Sequence, residues 1–330
     1  MSAIARPAAV ARLAAIARLT STARLRAFFA PRSIALVGAS DGSAWARNVV
    51  QGIRLTGSAD RAVVINPNRS NVLGCRTLPT LQALDGPVDL AYLFVGPDNV
   101  EPVMREAAAV GVKNVIVLAA GYSEAAADGV DRQQRLVQTA IELDMTALGP
   151  NSLGFVNPAV AAPYGSGLRA PLLSGPVGFA LQSGSLTSAL IPFATGRGIG
   201  CSLLAATGNE AVISSMDVFE LLVEDERTHA IALFLETLRE PERFLQLCER
   251  ALQAAKPVVV LKAGRSEAGK RAAMAHTGAL ASDDAVVDAV LRQAGVVRVT
   301  GLEVEAALGA PDDAAQQQHA LQAFVELAAE

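Results

Sequence analysis

From Phe29 onward the sequence alternates short β-branched runs with alanine-rich stretches, and that alternation restricts the fold more than any other feature. Ser33 to Val37, Ala62 to Ile65, Leu90 to Val95 and Val112 to Leu118 read as buried strands. Helical stretches fall between them, near Asn48, from Val100 to Val110 and from Ala125 to Leu143. Strands separated by helices pair in parallel, because only a crossover returns the chain to the same end of the sheet. A second series follows, with strands at Val177 to Leu181, Ser202 to Ala206, Ile231 to Leu235 and Pro257 to Leu261, and helices around Ser188, Val218, Leu245 and Val287. The expectation is an α/β chain of two doubly wound domains with helices on both sheet faces. They join near 149–169, which holds Pro150, Pro158 and Pro163. Asp312 and Asp313 mark a helix start, and the tail is expected to run as a solvated helix to Glu330.

Composition removes several classes of function. With 330 residues and 51% hydrophobic side chains the chain can fill two cores, which excludes disorder. A net charge of -4 offers no whole-chain attraction to nucleic acid. Cys75, Cys201 and Cys248 form an odd set without CxxC spacing, which suits a reducing, cytoplasmic setting and no metal site. The first forty residues hold six arginines and no acid, and Arg6, Arg12, Arg18 and Arg24 recur every six positions. A step of six turns each arginine by about 240° around a helix, so no amphipathic side results, and residues 1–27 read as an extension rather than a targeting peptide. Between Met145 and Gly196 the only charge is Arg169. Gly175, Pro176, Gly178, Gly184 and Pro192 break that stretch, so it is no membrane span but a core or the seam of a site.

In doubly wound sheets ligands sit beyond the carboxyl ends of the strands. Val37, Gly38, Ala39 and Ser40 occupy the place of a dinucleotide fingerprint, where small residues let a phosphate approach backbone N–H groups. The second strand ends in Asn66 and Pro67, where an NAD-binding chain would offer Asp or Glu to the ribose, so a different phosphate-bearing ligand is expected. Gly264 to Arg271 fits GxxxxGK but puts Arg271 where a P-loop needs Ser or Thr. Gln182 to Thr187 forms a hydroxyl-rich helix start that can hold an anion, although without His276 a plain Ser N-cap is the favoured reading. Of three histidines, His229 and His319 read as surface residues, whereas His276 lies among small residues between a strand and a helix, within reach of a reactant. Position alone leaves a packed His276 as an alternative. Glu236 ends a strand on the same edge, where a carboxylate can accept an imidazole N–H or simply face solvent.

The order of these motifs resembles the α subunit of succinyl-CoA synthetase and the corresponding domains of NDP-forming acyl-CoA synthetases. The likeness runs through Ser33 to Ser40, Gly149 to Gly154, Ser183 to Thr187, Lys256 to Val259 and Ala275 to Ala279, five segments in family order and spacing. It implies a Rossmann-like CoA-binding domain over 28–150, a flavodoxin-like phosphohistidine domain over 151–309 and a helical tail over 310–330. It further implies that His276 is transiently phosphorylated and that Glu236 orients it. Ser183, Gly184, Ser185, Asn151, Gly208 and Asn209 would hold phosphate. Val37, Gly38, Ala39, Ser40, Asn66, Pro67, Val95, Gly96, Pro97, Ala120 and Gly121 would hold coenzyme A.

By the same resemblance the chain is an α-type subunit that interconverts acid, CoA and NTP with acyl-CoA, NDP and phosphate. An ATP-grasp β subunit would carry magnesium and ATP/ADP or GTP/GDP, since no second glycine-rich lid or acidic pair follows here. Ala275-His276-Thr277-Gly278 and Gly208-Asn209-Glu210-Ala211 depart from the succinyl enzyme, which mildly favours a monocarboxylic acid over succinate. A CoA-binding sensor without turnover is the alternative, and an NAD-dependent oxidoreductase a more distant one.

Overall fold

The computed structural model describes residues 5–125, 127–170, 172–263 and 284–299. Two sheets organise them. The first contains β1 (Ile34–Val37), β2 (Ala62–Ile65), β3 (Asn71–Val72), β4 (Cys75–Leu78), β5 (Leu90–Leu93), β6 (Asn114–Val117) and β7 (Thr146–Leu148), in the order β3-β4-β2-β1-β5-β6-β7. All pairs are parallel except β3 with β4. β1 is apolar at every position because helices cover both faces of a parallel strand. The second sheet contains β8 (Gly154–Val156), β9 (Ser174–Leu181), β10 (Cys201–Ala206), β11 (Ala230–Leu235), β12 (Val258–Lys262) and β13 (Val297–Val299), in the order β13-β12-β11-β9-β10-β8. Both sheets reverse direction at their first long strand. β1 has β2 on one side and β5 on the other, and β9 likewise lies between β10 and β11. The crevices of an α/β fold open at such switch points.

The helices are α1 (Ala5–Leu19), α2 (Thr22–Phe28), α3 (Ala44–Leu55), α4 (Pro97–Ala109), α5 (Ala127–Glu142), α6 (Gly184–Gly196), α7 (Ser215–Glu224), α8 (Pro241–Gln253) and α9 (Asp284–Gln293). α3 buries Ala46, Val49, Val50 and Ile53, the i, i+3, i+4, i+7 stripe of a surface helix. α7 starts in a capping box between Ser214 and Asp217. No described helix is long and apolar enough to cross a membrane.

Several elements were not legible in the sequence. Leu73 and Gly74, both at positive φ, turn the two-residue β3–β4 hairpin, and a leucine at φ 53° carries none of the usual Asn-Gly signal. Neighbouring side chains hold it there: Leu73 N–H donates to Asp41 at 2.8 Å, and Arg54 donates to the Leu73 carbonyl at 2.5 Å. β8 comes from the connecting segment and pairs antiparallel with β10.

The arginine-rich N-terminus is packed against both sheets' helices. α1 lies on α5 and α2 on α7. Leu19, Leu25 and Phe28 are fully buried, and Phe28 and Phe29 meet Phe155 with ring centroids 6.2 and 5.1 Å apart. The expected tail helix lies outside the described residues.

Candidate functional site

At the first switch point, the backbone builds the site. Gly38 follows β1 at φ 81°, and a Cβ there would meet Val95 Cγ1 at 3.0 Å and the Phe94 carbonyl at 3.1 Å. Only glycine lets the loops after β1 and β5 approach so closely. Gly96 precedes α4 at its N-cap, and Gly121 sits at φ 94° after β6. Tyr122 donates its hydroxyl to the Pro97 carbonyl at 3.4 Å. Arg132 donates to the Gly121 carbonyl at 2.5 Å and to Asp98 at 3.0 Å. Val37 to Ser40, Val95 to Pro97 and Ala120 to Gly121 therefore share one edge, with Gly96, Ala120 and Pro67 exposed. Asn66 is buried and donates to the Ala39 carbonyl at 2.9 Å while its Oδ1 accepts Asn68 N–H at 2.9 Å. Its side chain ties the β1 and β2 loops together. Asp could not donate there, a physical reason for the missing ribose carboxylate.

At the second switch point, side chains build the site. Ser183 caps α6, its hydroxyl accepting Leu186 N–H at 3.4 Å, and Gly184 and Ser185 open the helix. Gln182, at the end of β9, accepts the N–H groups of Glu236 and Thr237 at 2.7 and 3.0 Å, which fixes the backbone of Glu236 across the sheet edge. Lys262 donates to the Glu236 carbonyl at 2.8 Å. Gly208 stands at φ 62°, where a Cβ would lie 2.4 Å from the Pro150 carbonyl oxygen. The 208–209 loop and Asn151 interlock, with Asn151 Nδ2 donating to Asn209 Oδ1 at 3.4 Å. Asn151, Asn209, Gln182, Ser183 and Glu236 are thus brought to one edge. His276 and the Gly264 to Arg271 segment lie outside the described residues.

Two carboxylates here escaped the reading of the sequence. Glu210, with its side chain 4% exposed, accepts Ser215 N–H at 2.7 Å, Gln182 Nε2 at 3.0 Å and the Thr207 hydroxyl at 3.1 Å. Burial raises its pKa, partly offset by Arg239 at 3.9 Å and by these donors. Its signal was present, because Glu210 is the only charge between Gly198 and Met216. Glu124 accepts Gly121 N–H at 2.5 Å and Tyr122 N–H at 3.2 Å and is also hydrogen-bonded by Asn209. Partial burial raises its pKa, but the hydrogen bonds from Asn209, Gly121 and Tyr122 outweigh that and leave the carboxyl below its ordinary value.

Among the described residues no cluster of His, Cys, Asp or Glu could hold a metal ion. A cavity of about 810 Å³ is lined by Arg32, Ala62 and Val88 at the opposite ends of the strands, away from both switch points.

Two doubly wound domains with glycine loops at one switch point and a hydroxyl-capped helix at the other define a two-domain α/β protein with a ligand-sized edge in each domain. Residues 32–158 match the CoA binding domain family, and residues 174–308 match the succinyl-CoA ligase like flavodoxin domain. Over those residues the chain belongs to these two domain families. It is 34% identical to a 4-hydroxybutyrate–CoA ligase [ADP-forming] of Nitrosopumilus maritimus, covering 83% of this chain and 40% of that protein. It is 33% identical to acetate–CoA ligase [ADP-forming] I subunit alpha of Pyrococcus furiosus, covering 82% and 60%. Among solved structures, an acetyl-coenzyme A synthetase of Ca. Korarchaeum cryptofilum in complex with phosphate and ADP superposes with a TM-score of 0.77 at 30% identity, over 86% of this chain and 61% of that one. The chain thus spans between two and three fifths of these relatives.

Proposed function

We propose that this chain acts as the α-type part of an NDP-forming acyl-CoA synthetase, working with an ATP-grasp β subunit that binds Mg²⁺ and ADP or GDP. Coenzyme A occupies the glycine loops at 37–40, 95–97 and 120–121, beside Asn66 and Pro67. Phosphate occupies the second edge, between the α6 N-terminus at Ser183 to Ser185 and the loops holding Asn151, Gly208 and Asn209. In the acyl-CoA-consuming direction, a phosphate oxygen attacks the thioester carbonyl, the C–S bond breaks, and CoA leaves as thiolate. His276 then attacks phosphorus, the carboxylate leaves, and the phosphohistidine carries the phosphoryl group to NDP. Splitting the transfer lets one imidazole serve two sites, and catalysis rests on positioning and on stabilising phosphoryl oxygens. Glu236 accepts the remaining imidazole N–H and favours the charged, phosphorylated ring. The substrate is a small carboxylic acid, with a monocarboxylic acid favoured.

The observation that supports this reading is the second switch point itself, where Gln182 accepts the Glu236 N–H beside the Ser183-capped start of α6. The test is acid-labile phosphate on the chain, incubated with ATP and its β partner. Label is expected in wild type and absent in His276→Ala. Label that survives the substitution removes His276 from the mechanism, and no label in either makes the chain a CoA-binding protein without turnover.

A further inference from the structure

Glu124 stands in the loop after β6, beside Gly121, and reaches the loop after β10 of the other sheet. One carboxylate oxygen accepts Gly121 N–H at 2.5 Å and Tyr122 N–H at 3.2 Å, in the loop after β6. The other accepts the side-chain amide of Asn209, in the loop after β10 of the other sheet. Gln133 Oε1 accepts the same amide at 3.2 Å. Each end is anchored. Asn209 N–H donates to the Pro150 carbonyl at 3.0 Å, and its own carbonyl accepts Arg239 at 3.0 Å. Arg132 ties Gly121 to Asp98. The loops at 96–98, 120–122 and 208–209 therefore share one hydrogen-bonded assembly, joined across the sheets by this carboxylate.

We propose that Glu124 is a positioning residue that holds the 120–122 loop and the 208–209 loop in register, so that binding of coenzyme A and of phosphate is thermodynamically linked. This rests on the assignment of coenzyme A and phosphate to those loops under Proposed function. The chemistry demands such a tie, because phosphate must meet a thioester carbonyl held by a different domain. An ångström of misplacement between reacting groups can cost on the order of a hundredfold in rate. A carboxylate suits the position because it accepts from several donors at once, two on one domain and one on the other.

Calorimetry of the full chain tests the link, with coenzyme A titrated in the absence and presence of inorganic phosphate. In wild type, phosphate is expected to change the coenzyme A dissociation constant by about fivefold or more. Asn209→Asp sets a second carboxylate against Glu124, and the change should fall below about twofold. Glu124→Ala removes the contact from the other side, without a charge clash and with Asn209 left in place, and should behave alike, which covers the case in which the aspartate variant fails to fold. The reversed pair, E124Q with N209D, exchanges donor and acceptor and should restore the wild-type factor. A merely structural role predicts no such rescue. Coenzyme A binding that phosphate does not shift in wild type, or a shift that survives both Asn209→Asp and Glu124→Ala, or a reversed pair that restores nothing, overturns the link alone. Wild type that binds no coenzyme A overturns the functional reading with it.

Discussion

The two switch points share a topology and differ in material. After β1, β5 and β6 the edge is made of backbone: Gly38, Gly96 and Gly121, with Asn66 bracing from behind. After β9, β10 and β11 it is braced by side chains: Gln182 donates to Glu210 and accepts the backbone N–H of Glu236. Backbone N–H groups suit a long ligand whose shape is to be followed. Side-chain carboxylates and amides suit a small reacting group whose protons must be controlled. The proposed division of labour between the domains thus rests on backbone that forms one edge and on side chains that brace the other.

Glycine substitutions give the largest test of this contrast. Gly208→Ala places a Cβ against two carbonyl oxygens, at 2.4 and 2.6 Å, in left-handed backbone, and should cost about 3 kcal/mol or more of unfolding free energy. Gly121→Ala meets nothing nearer than 3.6 Å and should cost only the conformational strain, about 1–2 kcal/mol. Urea unfolding of both variants checks the ordering. Equal costs would mean that the second edge is no more tightly interlocked than the first.

Next in size is the carboxylate at the centre of the second edge. Glu210→Ala deprives Ser215 N–H, Gln182 Nε2 and the Thr207 hydroxyl of their acceptor and should destabilise by about 2–3 kcal/mol. Asn66→Asp, its counterpart at the first edge, sets a carboxylate against the Ala39 carbonyl and should cost about 1–2 kcal/mol while weakening coenzyme A binding. Nicotinamide dinucleotide affinity gained by that variant would break the account of why the position is an amide.

The smallest effect has opposite signs at two carboxylates. Glu124 has a folded pKa below its unfolded one, so its contribution is full above the unfolded value and fades as pH falls through the folded one. Glu210 is raised by burial, so its ionised form weakens the fold at neutral pH and that penalty vanishes as pH falls toward the unfolded value. Melting temperatures from about pH 7 down to about pH 4 should show wild type losing ground to Glu124→Gln and gaining on Glu210→Gln. Parallel curves would show that neither environment differs from water.

The alternation of apolar runs made most of the central parallel strands legible, because buried parallel strands leave a nearly unbroken apolar signature at β1, β5, β6 and β11. β3 and β4 left none, since these strands are short, mix polar with apolar residues and, apart from Val72, are partly or fully exposed. β8 was hidden in a proline-rich link whose pairing is decided by β10, a distant segment. In the site, glycines and the serine cap could be read locally. Glu124 could not, because its meaning lies in Asn209, eighty-five residues away. Gln182 looked like part of an anion loop, whereas its amide spends its bonds on Glu210, Glu236 and Thr237.

The antiparallel strand β8 has a practical side for anyone dividing this chain. The CoA binding domain match ends at 158 and so includes Gly154–Val156, yet those residues close the open edge of β10 in the other sheet. A fragment covering 174–308 would leave Cys201–Ala206 with a bare row of backbone donors and acceptors, a template for edge-to-edge aggregation. It would also strip α2 from α7, uncovering the apolar side of a largely buried helix. Expression of either half calls for cuts that follow the hydrogen bonds of β8 rather than the family boundaries.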